Sequence, residues 1–396
     1  MGTYCRGTKE DLDELLDLAN MVFSMSSGSV DFERLLPKAY STERNMLAEH
    51  HLIKENDRIK ALIDVLPIEL KMGEESIKAG YVGTVSVHPK ARGKKYMITL
   101  MEEMEAQQRI DGTDILILDG NRHRYQHYGF ERAGLKYCFN ITGDSIRHCC
   151  NAKGHKEKEY SFELIHQEDE ERINAAFALY QKRKVTARKR EDFYLCLRSW
   201  EADTYAVLAA GKCIGYLNVS ADEGNVFEAE LEEINELPFV IRSFMTEFGI
   251  DELGMNIGMD EVAKLEILDR MSDYYTVNTS HLIKILNYEK VLHFLFAWKL
   301  TALEDTHGIQ EGSFVIGVRP ERKDRQNNYA LKYKQGKVLV EKTDLEADVV
   351  LEEKELVKTL TTSYYFHVVQ KPDSPFQNAP KGWFPLPFFL PEGDAF

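Results

Sequence analysis

Apolar and polar positions along this chain change period several times, and each change marks an element. Leu12, Leu15, Leu16, Ala19, Val22 and Phe23 recur every three or four residues, which lines them along one face of a helix. Thr8 and Asp11 ahead of them suit an N-cap and a first-turn acid. The polar stretch SMSSGSVD at 24–31 leads to a second short helix at about 32–36. Strands are expected at about 46–54 and 58–69, turned by Glu55-Asn56-Asp57, and at 76–88, where Tyr81, Gly83, Val85 and Val87 alternate with Val82, Thr84 and Ser86. Pro89 ends that ladder because it has no N–H to give. Met97, Leu100, Met101 and Met104 make one helical face that Gly112 stops, and the unbroken Ile115-Leu116-Ile117-Leu118 reads as a strand buried on both sides.

Part of this layout recurs downstream. Helices are expected at 168–179 and 238–248, a hairpin at 205–210 and 213–219 turned at Gly211, and a strand at 252–257. A helix at 287–299, with Val291, Leu292, Leu295 and Phe296 inward, then precedes strands near 313–318, 329–333, 337–340 and 348–351 and a helix at 353–361. The polar segment 151–161 reads as a linker. These patterns predict a mixed α/β (α+β) chain of three domains, 1–150, 151–280 and 281–396, which suits a length too great for one ordinary core.

Bulk properties narrow the partners. With 43% hydrophobic and 29% charged residues the chain has the composition of a soluble globular protein. No apolar run reaches membrane-spanning length, and the first residues lack the apolar core of a signal peptide. The six cysteines show no disulfide framework, which favours a reducing cytoplasm. A net charge of −15 repels nucleic acid and anionic lipid and favours cationic partners such as amines.

Three clusters could carry chemistry. Lys90, Arg92, Lys94 and Lys95 surround Gly93 just before the helix that starts near Met97. A helix N-terminus offers unpaired N–H groups and the positive end of a dipole, so this turn suits an anion, best a phosphate. His148-Cys149-Cys150 with His155 lacks the usual ligand spacing, and no metal is expected. The run from Lys182-Arg183-Lys184 to Arg188-Lys189-Arg190 reads as a solvated face or a subunit contact.

The run Val85-Ser86-Val87-His88-Pro89-Lys90-Ala91-Arg92-Gly93-Lys94, followed by a helix, a strand, Tyr125 and Gly129-Phe130, resembles the acetyl-CoA-binding core of the GNAT N-acetyltransferases. Arg92 matches the family's pyrophosphate loop, whereas Lys95 and Met97 stand where the family has small residues. The resemblance implies that Val85, Ser86 and Val87 polarise the thioester carbonyl through the backbone, and that Arg92, Gly93, Lys94, Lys95 and Tyr96, with Asn121, hold acetyl-CoA. It implies that Tyr125 protonates the departing thiolate, with Tyr128 as the alternative on the same helical face. Transfer would be direct, in a ternary complex, to a small primary amine or a lysine side chain. The acceptor side would be lined by the loop at 24–31, with Phe23, Asp31 and Phe32.

The whole chain resembles the Eis (enhanced intracellular survival) acetyltransferases: two tandem GNAT-like mixed-sheet domains, then a sterol-carrier-like α+β domain. The second unit has Glu233 and Glu236 where a phosphate turn would need cations, so it reads as catalytically silent. The tail, from Trp383-Phe384-Pro385-Leu386-Pro387 to Asp394-Ala395-Phe396, matches how that family ends, and its apolar residues are costly to leave in water. The resemblance implies that the carboxylate of Phe396 enters the first domain's site, as a base or as an orienting charge, and that the protein forms a homo-oligomer, a hexamer. Two other readings are a non-catalytic binding protein with a degenerate CoA turn, and a lipid carrier acting through the last domain.

Overall fold

The helix expected from Leu12 onward begins there and runs to Ser27, whereas the helix carrying Tyr125 ends at that residue and Tyr128 lies in the tighter turn that follows. The structure, a computed structural model, describes residues 2–41, 48–150, 158–182, 185, 187–222, 224–303, 308–320, 326–362 and 375–396, with Ser27 described by its backbone alone. In chain order the first elements are β1 (Thr3–Arg6), α1 (Leu12–Ser27), α2 (Phe32–Leu35), α3 (Pro37–Tyr40), β2 (Glu49–Glu55), β3 (Arg58–Met72), β4 (Glu75–Val87), α4 (Tyr96–Ile110), β5 (Ile115–Leu118) and α5 (Arg122–Tyr125). Next come β6 (Glu131–Thr142), α6 (Gly143–Cys150), β7 (Tyr160–Leu164), α7 (Glu170–Tyr180), α8 (Arg190–Arg198), β8 (Asp203–Ala209), β9 (Lys212–Val219), β10 (Asn225–Leu231), α9 (Leu237–Phe248), β11 (Glu252–Gly258) and α10 (Val262–Met271). The last are β12 (Tyr274–Ile285), α11 (Tyr288–Ala302), β13 (Gly312–Arg319), β14 (Asn327–Lys334), β15 (Lys337–Thr343), β16 (Val349–Glu352) and α12 (Glu353–Thr361).

These elements form two compact units. One comprises Met1–Gly134, His281–Pro387 and Phe396; the other comprises Leu135–Ser280 and Phe388–Ala395. In the first unit the strands run in the order β1-β2-β3-β4-β5, and residues 282–285 of β12 pair antiparallel with β5. Only β4 and β5 are parallel there; β1 to β4 are antiparallel neighbours. Leu100, Met101 and Met104 of α4 pack on Ile53, Ile63, Val65, Val82 and Leu116. Side chains alternate across a strand, so Leu62, Asp64 and Leu66 point to the opposite face, and α1 packs against β3 and β4.

The rest of this unit is a second sheet, β15-β14-β13-β16, with β13 and β16 parallel. Helix α11 packs on both sheets and buries Phe294, Phe296 and Trp298. Its Lys299 is half-buried, and the partial loss of water lowers its ammonium from 10.5 to about 8. That group donates to the Trp383 and Pro385 carbonyls at 3.2 and 2.9 Å, and Trp383 Nε1 donates to the Gln310 carbonyl at 2.8 Å. The apolar tail is thereby buried, as its composition predicts.

In the second unit the strands run β6-β11-β10-β9-β8-β7, with β10 and β11 parallel. Phe244, Ile241, Leu253 and Met255 are among the residues at the centre of its core. The periodicity did not predict β10, α8 or α10, and two of these, β10 and α10, carry charge at an inward position. Glu228 of β10 and Lys264 of α10 are both buried, Glu228 beside Arg188 and Lys264 bound to Glu230 at 2.9 Å. The linker expected at 151–161 lies outside the described residues as far as 157, as does His155, and Tyr160 and Ser161 instead open β7.

The basic run at 182–190 requires a correction. Arg183 and Lys184 lie outside the described residues, but Arg188 is no solvated residue. Its guanidinium is buried, pairs with Glu228, and meets Asp394 at 2.6 Å. Asn256 donates to Glu392 at 3.1 Å and Trp200 Nε1 to the Ala395 carbonyl at 3.2 Å, so residues 388–395 are held along this unit. Among the described residues no helix is long and apolar enough to cross a membrane.

Candidate active site

The site is built where β4 leaves its neighbour. Pairing with β5 ends at Val82, opposite Leu118, while β4 continues beside β3 as far as Val87. The edge of β4 from Gly83 onward is therefore open on the β5 side, and alternate backbone groups there face away from any strand. On the β3 side Asp64 pairs with Gly83 and Leu62 with Ser86, so Thr84 and Val85 together oppose Ile63. This is a β-bulge, with Thr84 in the left-handed region at φ 47°. A β-branched residue there costs on the order of 1–3 kcal/mol, so the surroundings must hold it.

A buried carboxylate does so. Asp64 Oδ2 accepts from the Thr84 hydroxyl and from the Tyr40 phenol, each at 2.6 Å, and Oδ1 accepts from His50 Nδ1 at 2.6 Å. The Tyr40 and Thr84 oxygens are 2.7 Å apart. All four side chains are buried. Burial first, then the Asp64 charge, pushes the Tyr40 phenol well above its usual range, so it stays protonated and donates. His50 pairs directly with Asp64 across β2 and β3, and Asp64 with Gly83 across β3 and β4, so the three form one row.

Aromatic rings cover this row. A Cβ built on Gly83 would stand 2.6 Å from the Phe396 ring, so only glycine admits that ring. Phe396 is 5.9 Å from Tyr40, Tyr40 is 6.2 Å from Phe32, and Phe32 meets Phe23 edge-on at 4.9 Å. Phe23, Phe32 and Phe396, chosen from three separate stretches of sequence, thus share one wall. Asp31 caps α2, its carboxylate accepting from the Glu33 and Arg34 amides at 3.2 and 3.3 Å. Just before Phe396, Glu392 is engaged by Asn256 and Asp394 by Arg188.

The turn before α4 has the shape of an anion cradle. Gly93 and Lys95 both have positive φ, and a Cβ on Gly93 would meet nothing within 4 Å. The Ile98 and Thr99 amides return to the Lys95 carbonyl at 3.0 and 3.2 Å, and the Lys94 amide to Ala91 at 3.3 Å. Among the described residues no backbone acceptor takes the amides of Gly93, Lys95, Tyr96 or Met97. Lys95 and Met97 can therefore present their N–H groups despite their bulk, because Lys95 adopts the left-handed turn itself. This fits a diphosphate. The Lys94 ammonium is bound by both Glu55 oxygens at 2.7 and 2.9 Å. The Tyr96 phenol turns toward Glu55 and accepts from the Gly2 amide at 3.0 Å. Tyr96 thus offers the turn its amide and not its phenol, while Arg92 and Lys95 are exposed and offer charge.

Tyr125 is buried against Phe130 and over Gly120, where a Cβ would come 2.6 Å from its ring. Burial raises its phenol above the usual value. Tyr128 is half-buried, and its carbonyl accepts from Lys284 at 2.7 Å. Asn121 caps α5, its side chain accepting from the His123 amide at 3.0 Å. Val85 and Val87 are half-buried against the α4 side, and Ser86 is buried. Sequence reasoning missed Tyr40, His50, Asp64 and Thr84. The available signal was Asp64, a lone acid inside the apolar run Ala61-Leu62-Ile63-Asp64-Val65-Leu66.

Residues 3–133 match the family model described as an acetyltransferase (GNAT) domain. No curated protein sequence matches the chain. Among solved structures, a GCN5-related N-acetyltransferase from Anabaena variabilis is 18% identical with a TM-score of 0.65, over 94% of this chain and 93% of that one. A probable N-acyltransferase from Enterococcus faecalis is 13% identical with a TM-score of 0.64, over 89% and 88%. Eis1 from Mycobacterium abscessus is 12% identical with a TM-score of 0.63, over the full length of both chains. These likenesses are of fold. The match at 3–133 gives the chain an acetyltransferase (GNAT) domain.

Proposed function

We propose that the protein is an acetyl-CoA-dependent N-acetyltransferase of Eis type, acting on a primary amine such as an aminoglycoside, a polyamine or a lysine side chain. The observation that carries this reading is the open edge of β4 beyond Val82, one short turn from the unpaired amides that precede α4. An acyl thioester laid along that edge has donors for its carbonyl at one end and for its diphosphate at the other. The full-length likeness in fold to Eis1 supports the Eis-type architecture.

In this reading the amides of Val85–Val87 polarise the carbonyl, and the turn from Arg92 to Tyr96, with Asn121 nearby, holds the diphosphate. The neutral amine attacks the carbonyl carbon, forming the C–N bond. The C–S bond then breaks, Tyr125 gives its proton to the thiolate, and the nitrogen's surplus proton restores the phenol. Burial raises both phenols, so each is protonated before the thiolate appears; Tyr125, the more buried of the two and locked against Phe130, is the better fixed. Phe23, Phe32 and Phe396 wall the acceptor side, Asp31 stands at its rim, and the carboxylate of Phe396 orients the incoming ammonium, which gives one proton to water before it attacks as the neutral amine. Calorimetry with acetyl-CoA, followed by a panel of primary amines assayed for released CoA, tests the reading. Binding with amine-dependent release is expected; no binding at millimolar concentration would overturn it.

A further inference from the structure

We propose that Asp64 is a positioning residue: by holding the hydroxyl of Thr84 it latches β4 in the bulged form on which acyl transfer depends. This inference rests on the acyl-transfer reading above. Asp64 gathers donors from three elements, His50 on β2, Tyr40 on α3 and Thr84 on β4. Of the three, only Thr84 has a backbone conformation that its own side chain disfavours. Its hydroxyl is the group that reverses that preference, by donating to Asp64 at 2.6 Å.

The bulge also decides what β4 presents. It lies between the Asp64–Gly83 and Leu62–Ser86 pairs, at the start of the stretch Val85–Val87, whose alternate, outward-facing amides would meet the thioester. Without the extra residue the register beyond it would slip by one, and every group from Val85 to Val87 would turn to the opposite side. Amides on the open edge would then face β3. The phosphate turn is built from other residues and would be unaffected. The latch therefore bears on the chemical step and not on cofactor binding.

Four full-length proteins test this: Thr84→Val, Thr84→Gly, Asp64→Asn and the double variant Asp64→Asn/Thr84→Gly. Valine keeps the β-branch and loses the hydroxyl, so kcat should fall roughly 10²-fold, the scale of a small misplacement, with the acetyl-CoA Kd within about 3-fold. Glycine adopts positive φ without help, so Thr84→Gly should retain most of kcat. Asp64→Asn should lower kcat strongly in the parent protein and by less than about 3-fold in the Thr84→Gly protein. An equal loss from Asp64→Asn in both proteins, or a loss in Thr84→Gly as large as in Thr84→Val, overturns the latch. If the parent protein releases no CoA with any amine, the acyl-transfer reading fails and the latch is read directly from backbone carbon shifts. Those shifts should place residue 84 in the left-handed region in the parent and in the double variant, and in the extended region in Asp64→Asn. A left-handed residue 84 in Asp64→Asn contradicts it.

Discussion

The ring of Phe396 lies on Gly83, so close that a single methyl at Gly83 would stand 2.6 Å from it. The last residue of the chain is thus packed on the strand residue at which β4 separates from β5. Gly83→Ala must push the ring away or bend β4, an overpacking that typically costs about 1–3 kcal/mol. The expected outcome is a raised KM for the amine with the acetyl-CoA Kd little changed, measured by steady-state kinetics and calorimetry. An unaltered amine KM would detach Phe396 from the acceptor wall.

Tyr125→Phe keeps the ring that fills the space over Gly120 and removes only the hydroxyl. If the phenol protonates the thiolate, kcat should drop by roughly 10²–10⁴ while unfolding and acetyl-CoA binding stay near those of the parent. Tyr128→Phe should lower kcat much less, because that phenol is only half-buried. A reversed order of effects would move the role to Tyr128.

His51 makes stability depend on mildly acidic pH. Burial, then the nearby Arg6 charge, lowers its imidazole from 6.5 to about 4. The neutral ring fits its partners: Arg6 lies 3.4 Å from Nε2 and the Tyr4 hydroxyl 3.0 Å from Nδ1. Because the unfolded chain takes up the proton first, stability is full above about 6.5 and falls as pH drops toward about 4, by about 3 kcal/mol in all. Urea unfolding between those pH values should show this slope, and His51→Gln should flatten it.

Arg188 holds two acids in the interior of the second unit. Arg188→Met leaves Glu228 and Asp394 buried without their cation, a change that ordinarily costs about 3–5 kcal/mol. Thermal unfolding should show a large loss, much of it regained when Glu228→Gln and Asp394→Asn are added. No recovery would mean that Arg188 contributes by packing on Tyr180, whose ring lies 4.9 Å below the guanidinium.

The parts legible in the sequence are those in which neighbours along the chain do the work. Helix α1 announced itself by spacing and the turn before α4 by Gly93 among its charged neighbours, and α12 was read to the residue. What escaped depends on partners far apart. Glu228 in β10 reads as a surface acid until Arg188, forty positions away, is seen beside it. Asp64 could be marked as anomalous from its apolar run, yet His50, Tyr40 and Thr84 become its partners only when β2, β3, β4 and α3 are assembled. Nor does periodicity reveal that one threonine departs from extended backbone, because a bulge interrupts the alternation by a single residue.

Release of CoA from acetyl-CoA in the presence and absence of primary amines bears most directly on the central claim. The account predicts release that requires the amine, with the amine gaining one acetyl group by mass spectrometry. Release at the same rate without any amine, or no binding of acetyl-CoA at millimolar concentration, would contradict it.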